Sequence, residues 1–154
     1  MYRKLGAVIL ILLLSLTGCA SVDYSPRPID SSLDICSSCN MTISDIHFAG
    51  EIIPKAGQVE KFDDLGCLAL YLKKHSQEQE LKDAAIYVID YDTLEWISAK
   101  DASYVQGAAI STPMSYGIAA FDSQESAQTF AQKFSGMKVI EWQEVLSSKQ
   151  VINF

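Results

Sequence analysis

The sequence predicts an α+β domain in which two related strand–strand–helix units pack together, behind a lipoprotein signal and a flexible tether. Short stretches of alternating polar and apolar residues precede two amphipathic helical patterns. A residue that can cap a helix follows the strand in both places. The segments Phe62-Asp63-Asp64 and Phe121-Asp122-Ser123 align at a spacing of 59 residues, which predicts an internal repeat.

Residues 1–18 have the pattern of a secretory signal and are not counted as part of the fold. Arg3 and Lys4 form a positive start, and an apolar run broken only by Ser15 extends from position 7 to 16. That run is shorter than the ~20 residues that span a membrane, which argues against an uncleaved anchor helix. The ending at Cys19 resembles the lipobox of bacterial lipoproteins. This resemblance implies cleavage before Cys19 and lipidation of that cysteine.

The mature chain is expected to consist of a short tether and one domain. Residues 19–33, which include the lipidated cysteine, are rich in Ser and Pro and predict a flexible tether, so the domain is assigned to residues 34–154. The chain has a net charge of -7, and loss of two cations with the signal leaves -9. Phosphate binding needs clustered Lys and Arg, so this composition argues against a nucleic-acid partner.

The first predicted unit comprises two strands and one helix. The strands are expected over residues 48–53 and 58–62, with a turn between them. Asp63 is expected to cap the helix, which runs to about His75. The apolar side chains recur at one-face helical spacing, which is typical of a helix on a core; they are Leu65, Leu68, Ala69 and Leu72.

A polar connection and a hairpin are predicted between the two units. Residues 76–83 are polar and are expected to form the connection. Residues 85–90 and 94–98 have the alternation of paired strands around a short turn. Residues 99–105 fit either a short helix or an extended segment.

The second predicted unit repeats the strand-to-helix arrangement. A strand is expected over residues 116–121, and Asp122 or Ser123 is expected to cap the following helix. Gly136 is expected to stop that helix, and a short strand and a last short helix follow over 139–148. The predicted apolar face of the helix consists of Ala127, Phe130, Ala131 and Phe134.

Three cysteines remain once Cys19 is assigned to the lipid, and disulfides alone cannot account for an odd number. Cys36 and Cys39 are three positions apart, and Met41 follows two positions later. Thiolates and thioethers are soft donors that select copper(I), whereas a thioether is not a usual zinc ligand. Met41 therefore favours copper(I). The cysteine spacing alone also fits half of a zinc site, a thiol redox pair or a structural disulfide.

Several segments carry a resemblance to a known family; they are Cys39-Asn40-Met41, Phe62 to Cys67, Tyr91 to Ile97, Ala102 to Val105, Thr112 to Gly117 and Ala120-Phe121. Over nearly the whole mature domain the chain resembles the NosL family, the accessory lipoproteins of nitrous oxide reductase. The resemblance implies an exported, lipid-anchored copper(I) chaperone that is not an enzyme and faces the periplasm or the cell exterior. It also implies delivery of copper to an apo copper enzyme of the nitrous oxide reductase kind, together with an associated ABC transporter.

The resemblance also implies a ligand set for copper(I). By position, Cys39 and Met41 would be ligands, and Met114 would be a third donor from the second half of the fold. Cys36 departs from the family's Cys-x-Met signature, which leaves open whether it is a second thiolate ligand or the disulfide partner of Cys39. His47 is a further candidate, as an imidazole donor. Cys67 is expected to be a small buried residue in the first turn of a helix.

Two other functions fit a Cys-x-x-Cys segment, and both stay open as alternatives. In an extracytoplasmic thiol–disulfide redox protein of the thioredoxin kind, the pair opens a helix, whereas residues 42–45 show no helical face. A structural zinc module needs a fourth ligand at an ordered spacing, which the sequence does not show. The motifs of common hydrolases are not found in the sequence, which agrees with a non-enzymatic role.

Overall fold

The structure is a computed structural model that describes residues 22–148. The predicted signal peptide, the predicted lipidation site Cys19 and residues 149–154 lie outside the described residues. Within residues 22–148, every helix is too short or too polar to cross a membrane.

The first half of the domain contains a four-stranded antiparallel sheet. A 3-10 turn at Ile46–Phe48 precedes it. Its strands have the order β2-β1-β3-β4, and they are β1 (Gly50–Ile53), β2 (Glu60–Phe62), β3 (Ala85–Ile89) and β4 (Trp96–Ser98). Between β2 and β3 lie helix α1 (Leu65–Lys74) and the short helix α2 (Gln79–Lys82).

The second half contains a three-stranded antiparallel sheet in the order β6-β5-β7. The strands are β5 (Ser103–Gln106), β6 (Ile118–Phe121) and β7 (Lys138–Ile140). Helix α3 (Gln124–Ala131) connects β6 to β7, and helix α4 (Trp142–Ser147) follows β7.

The two halves share one topology, which confirms the predicted α+β fold and its repeat. In each half a central strand pairs antiparallel with the next strand, a helix follows, and a later strand pairs with the other edge of the central strand. Asp64 and Ser123 are 59 residues apart and are the N-caps of α1 and α3. Their side chains accept hydrogen bonds from the backbone N–H groups of Gly66 and Ser126, which satisfies donors that a helix start leaves free.

Three local expectations were wrong. The predicted polar connection over 76–83 contains α2. The predicted first strand begins at Gly50, because Asp45 caps the preceding 3-10 turn through the N–H of His47. Phe134 is 55% exposed and lies beyond the end of α3, so the apolar face of that helix stops at Ala131.

The larger of two hydrophobic cores is formed by the first sheet, α1, α4 and residues of the second sheet, and it includes Cys36 and Cys67. A Cβ atom on Gly50 would clash with Cδ1 of Leu68. Gly50 therefore allows α1 to approach β1 closely. This close packing holds the first turn of α1, which carries Cys67, against the sheet.

Candidate metal centre

Residues 36–40, here called the cysteine turn, form a tight loop in front of the first sheet. A bridge between Ile35 and Thr42 closes the loop. The backbone N–H of Cys36 donates to the carbonyl of Met41 at 2.8 Å, and the N–H of Asn40 donates to the carbonyl of Cys36 at 2.9 Å. Asn40 has a φ of 62°, and Asn tolerates this left-handed conformation better than most residues. These bonds fix the direction of both cysteine side chains.

Two contacts attach the cysteine turn to the edge strand β2. The backbone N–H of Ser37 donates to the carbonyl of Lys61 at 2.9 Å. The ammonium group of Lys61 lies 2.6 Å from the carboxylate of Asp34 and also donates to the carbonyl of Pro28 at 2.8 Å. The cysteine turn is thus held beside the point where β2 leads into α1.

The segment that leaves β2 places two carboxylates at the start of α1. Asp64 is the N-cap and accepts the N–H of Gly66 at 2.9 Å. The expectation that Asp63 caps this helix was therefore wrong, because Asp64 directly precedes the first helical residue. Asp63 is 1% exposed, and its side chain lies beside Cys39 instead.

Four side chains form the donor group, defined here as Cys36, Cys39, Asp63 and Cys67. Their sulfur and carboxylate oxygen atoms all lie within 4.8 Å of one another, and the three thiols are free. The thiol of Cys39 donates to Oδ2 of Asp63 at 3.3 Å, whereas Oδ1 of Asp63 is buried and has no hydrogen-bond partner within residues 22–148. Sequence reasoning missed Asp63 and Cys67 as members of this group.

The three thiols differ in their affinity for protons. The hydrogen bond from Cys67 lowers the pKa of Cys36 to about 6, and the backbone N–H groups of Cys39 and Asp63 act in the same direction. Burial raises the pKa of Cys39 to about 12. The pKa of Cys67 is raised, because its proton is shared with Cys36 and because the site is buried. Of the three thiols, that of Cys36 therefore loses its proton most readily.

Met41 follows the cysteine turn directly and is 50% exposed. The carbonyl of Met41 accepts a hydrogen bond from the N–H of Cys36, and this bond keeps Met41 next to the cysteine turn. A half-exposed methionine next to the cysteine turn is accessible to an approaching protein. Its role as a ligand stays a prediction.

Residues 112–117, here called the methionine loop, are tied to the start of α1 by Asp64. Oδ2 of Asp64 accepts the hydroxyl of Thr112 at 2.5 Å and the backbone N–H of Met114 at 2.9 Å. Met114 packs against the core that contains Cys36 and Cys67. The second half of the fold thus places this methionine at the same core as the cysteines, and its role as a ligand stays a prediction.

Tyr116 places the methionine loop directly on α1. A Cβ atom on Gly66 would overlap Cγ of Tyr116, so only glycine leaves room for the ring. Burial raises the pKa of Tyr116 to about 12, and the neighbouring Cys67 and Asp64 contribute to the shift. The phenol is therefore uncharged at neutral pH next to the donor group.

His47 is not a member of the donor group. Its Nδ1 lies 2.8 Å from the carboxylate of Asp45, and its ring centroid lies 5.2 Å from that of Tyr91. The 3-10 turn that carries His47 contacts β3 and β6. This placement gives the imidazole partners of its own, and it joins no cluster of metal donors within residues 22–148.

The chemistry of the donor group is that of a soft metal site. Three thiols favour copper(I) or zinc, and a carboxylate oxygen is a further donor that zinc accepts. The cysteine pair lies in a turn and does not open a helix. That differs from the arrangement that activates the first thiol of a thioredoxin-like pair.

Comparisons with known proteins agree with this geometry. The family model described as NosL matches residues 28–150. Among solved structures, the crystal structure of the copper chaperone NosL from Shewanella denitrificans has a similar fold. It superposes with a TM-score of 0.68 at 23% sequence identity, over 79% of this chain and 96% of that one. No curated protein matched the sequence. Because the family model covers most of the chain, this protein belongs to the NosL family.

Proposed function

We propose that this protein is a copper(I) chaperone that binds one ion through Cys39 and neighbouring sulfur donors and passes it to another protein. The observation that carries the proposal is the convergence of three free thiols within 4.8 Å beside a half-exposed methionine. Soft sulfur donors favour copper(I) over hard ions. Membership of the NosL family and the similar fold of a solved copper chaperone support the same cargo.

The ligands proposed for this function are Cys39, Met41 and Met114, with Cys36 as a second thiolate. Cys39 is partly buried and lies between buried thiols and the exposed Met41. Copper(I) accepts two or three ligands, so a partner's donors can replace these one at a time. Transfer of this kind is ligand exchange and involves no chemical conversion of a substrate, which is why the proposed role is not enzymatic.

The proposed place of action is the surface of a bacterial membrane that faces the periplasm or the cell exterior, with the domain anchored through lipidated Cys19. The lipobox-like sequence that ends at Cys19 supports export and anchoring. The proposed recipient is an apo copper enzyme of the nitrous oxide reductase kind, and an associated ABC transporter is a proposed second partner. Both partners are inferred from the family alone.

Copper(I) titration of the reduced protein against a chromogenic copper(I) chelator tests the proposal. We expect tight binding of one ion and loss of tight binding in Cys39→Ser. A matched control is Ser38→Ala, which changes a neighbouring residue of the cysteine turn without removing a sulfur. Equal copper(I) affinity in Cys39→Ser and the wild type would refute the proposal.

A structural zinc site is a second candidate, because Asp63 and Cys67 complete a set of three thiols and one carboxylate. Zinc forms tetrahedral sites of this composition, and such sites stabilise the fold directly. Competition between the two ions on the reduced protein separates the candidates. Preference for zinc, together with unfolding when zinc is chelated, would favour the structural role and reject the chaperone.

A further inference from the structure

The thiol of Cys67 belongs to the donor group, although the resemblance to the NosL family implied only Cys39, Met41 and Met114 as ligands. Cys67 lies in the first turn of α1 and is 1% exposed, and Cys36 is fully buried. The donor group therefore has an inner side formed by these two residues. Cys39 is partly buried and connects that inner side to Met41 at the surface.

The spacing of the three sulfurs suits one metal ion. An ion about 2.3 Å from each of three sulfurs at trigonal angles needs sulfurs about 4 Å apart. The sulfurs of Cys36, Cys39 and Cys67 lie within 4.8 Å of one another, so a small rotation of the side chains closes a trigonal site.

The backbone around the group is arranged to stabilise sulfur anions. The N–H groups of Cys39 and Asp63 donate to the sulfur of Cys36, and the N–H of Met41 donates to the sulfur of Cys39. Cys67 is close to the start of α1, where the positive end of the helix dipole favours negative charge. These contacts favour a thiolate on Cys36 before any metal is bound, whereas Cys39 and Cys67 lose their protons only when a metal ion replaces them.

The buried side chain of Asp63 is an independent observation that indicates a ligand-binding site. Its side chain is buried, with Oδ2 accepting the Cys39 thiol and Oδ1 lacking a partner within the described chain. A buried carboxylate oxygen without a partner destabilises the folded protein. Such a cost is reasonable where the group orients a thiol for metal binding.

We propose that Cys67 is a ligand, and that copper(I) rests in an inner site of three thiolates formed by Cys36, Cys39 and Cys67. Cys39 is shared with the outer set, in which Met41 and Met114 receive the ion on its way to a partner. Asp63 is a positioning residue that holds the Cys39 thiol in the metal-free protein by accepting its hydrogen bond, and binding of copper(I) releases the protons of the Cys39 and Cys67 thiols. This inference rests on the proposed copper(I) function and specifies where the cargo is held.

The experiment compares Cys67→Ser with Met41→Leu by copper(I) competition titration and by X-ray absorption at the copper edge, with one equivalent of copper(I). We expect Cys67→Ser to weaken binding by at least roughly 100-fold, since changes outside the ligand shell alone cost 10–100-fold. The number of sulfurs around copper should fall in this variant. In Met41→Leu, three sulfurs should remain and the affinity should change by less than in Cys67→Ser.

Two further variants keep the test decisive if the buried hydroxyl disturbs folding. Cys67→Ala removes the sulfur without adding a polar group, and Ala69→Ser adds a hydroxyl at a fully buried position of the same helix. Circular dichroism of the metal-free proteins reports whether each is folded. The proposal requires Cys67→Ala to weaken binding as Cys67→Ser does, while Ala69→Ser binds copper(I) like the wild type.

The outcomes separate this inference from the proposed function. Unchanged affinity and sulfur count in folded Cys67→Ala, with binding lost in Cys39→Ser, would overturn the inner site and leave the chaperone role intact. Loss of one sulfur in Met41→Leu but not in Cys67→Ala would also overturn it. A wild-type protein that does not bind copper(I) tightly would instead refute the proposed function.

Discussion

Replacement of Asp64 by alanine tests whether one buried carboxylate holds the two halves of the site together. Asp64 caps α1 through the N–H of Gly66 and also accepts bonds from Thr112 and Met114 in the methionine loop. The repeat provides a matched control, because Ser123 is the N-cap at the equivalent position of α3 and its bonds stay within that helix start.

The expected losses follow from the bonds that each substitution removes. Loss of an N-cap costs about 1 kcal/mol, and this is the whole effect expected of Ser123→Ala. Asp64→Ala also leaves two buried donors of the methionine loop without an acceptor, at about 1–3 kcal/mol each. Burial raises the pKa of Asp64, so the carboxylate itself is costly to bury and its removal returns part of the loss. We expect Asp64→Ala to lose about 3 kcal/mol of unfolding free energy, as the balance of these effects.

Urea denaturation of the two metal-free variants, followed by circular dichroism, measures the difference. The denaturation midpoint should fall clearly further for Asp64→Ala than for Ser123→Ala, with similar slopes. Equal losses in the two variants would contradict the reasoning, because they would show that the bonds from Asp64 to the methionine loop contribute nothing.

Three further predictions follow from the same structure. Met114→Leu should weaken copper(I) binding by about tenfold, equivalent to about 1.4 kcal/mol. The control Met137→Leu changes a methionine at the second core and should leave the copper(I) affinity unchanged. A competition titration measures both affinities. Chelation of metal should leave the circular dichroism spectrum unchanged at room temperature, because two hydrophobic cores of buried side chains stabilise the fold. Unfolding on chelation would contradict this. Burial raises the pKa of Glu51 above its usual 4.5, so its ionisation destabilises the fold as pH rises through the folded-state pKa. Glu51→Gln should therefore match the wild type in unfolding free energy near pH 4 and exceed it at pH 7, and equal stabilities at both pH values would argue against this account.

The fold could be predicted from local patterns because each element shows its own period. The alternation in the strands and the one-face spacing in α1 and α3 locate the repeat, and the caps Asp64 and Ser123 mark equivalent helix starts. The exact cap of α1 was missed, because Asp63 and Asp64 are chemically identical and only the backbone path distinguishes them. The length of α3 was overestimated, because Phe134 continues the apolar spacing beyond the end of the helix.

The donor group could be predicted only in part. Cys36 and Cys39 are close in sequence, so their proximity follows from the spacing alone. Cys67 lies on the buried face of α1 next to Leu68, where a cysteine is indistinguishable from a small apolar residue. Only the packing of the cysteine turn against the start of α1 shows that its thiol faces two others. The one signal in the sequence was the odd number of cysteines, which required a thiol with another role.

The donor group joins two parts of the chain that are distant in sequence, since Cys39 and Cys67 are 28 positions apart. An ion held by both would crosslink the cysteine turn to helix α1. It would restrain the cysteine turn at the surface where Met41 is exposed. A protein that docks there would therefore meet a stiffer surface on the metal-bound protein than on the metal-free protein. The arrangement offers a means of telling the two apart without a large rearrangement of the domain.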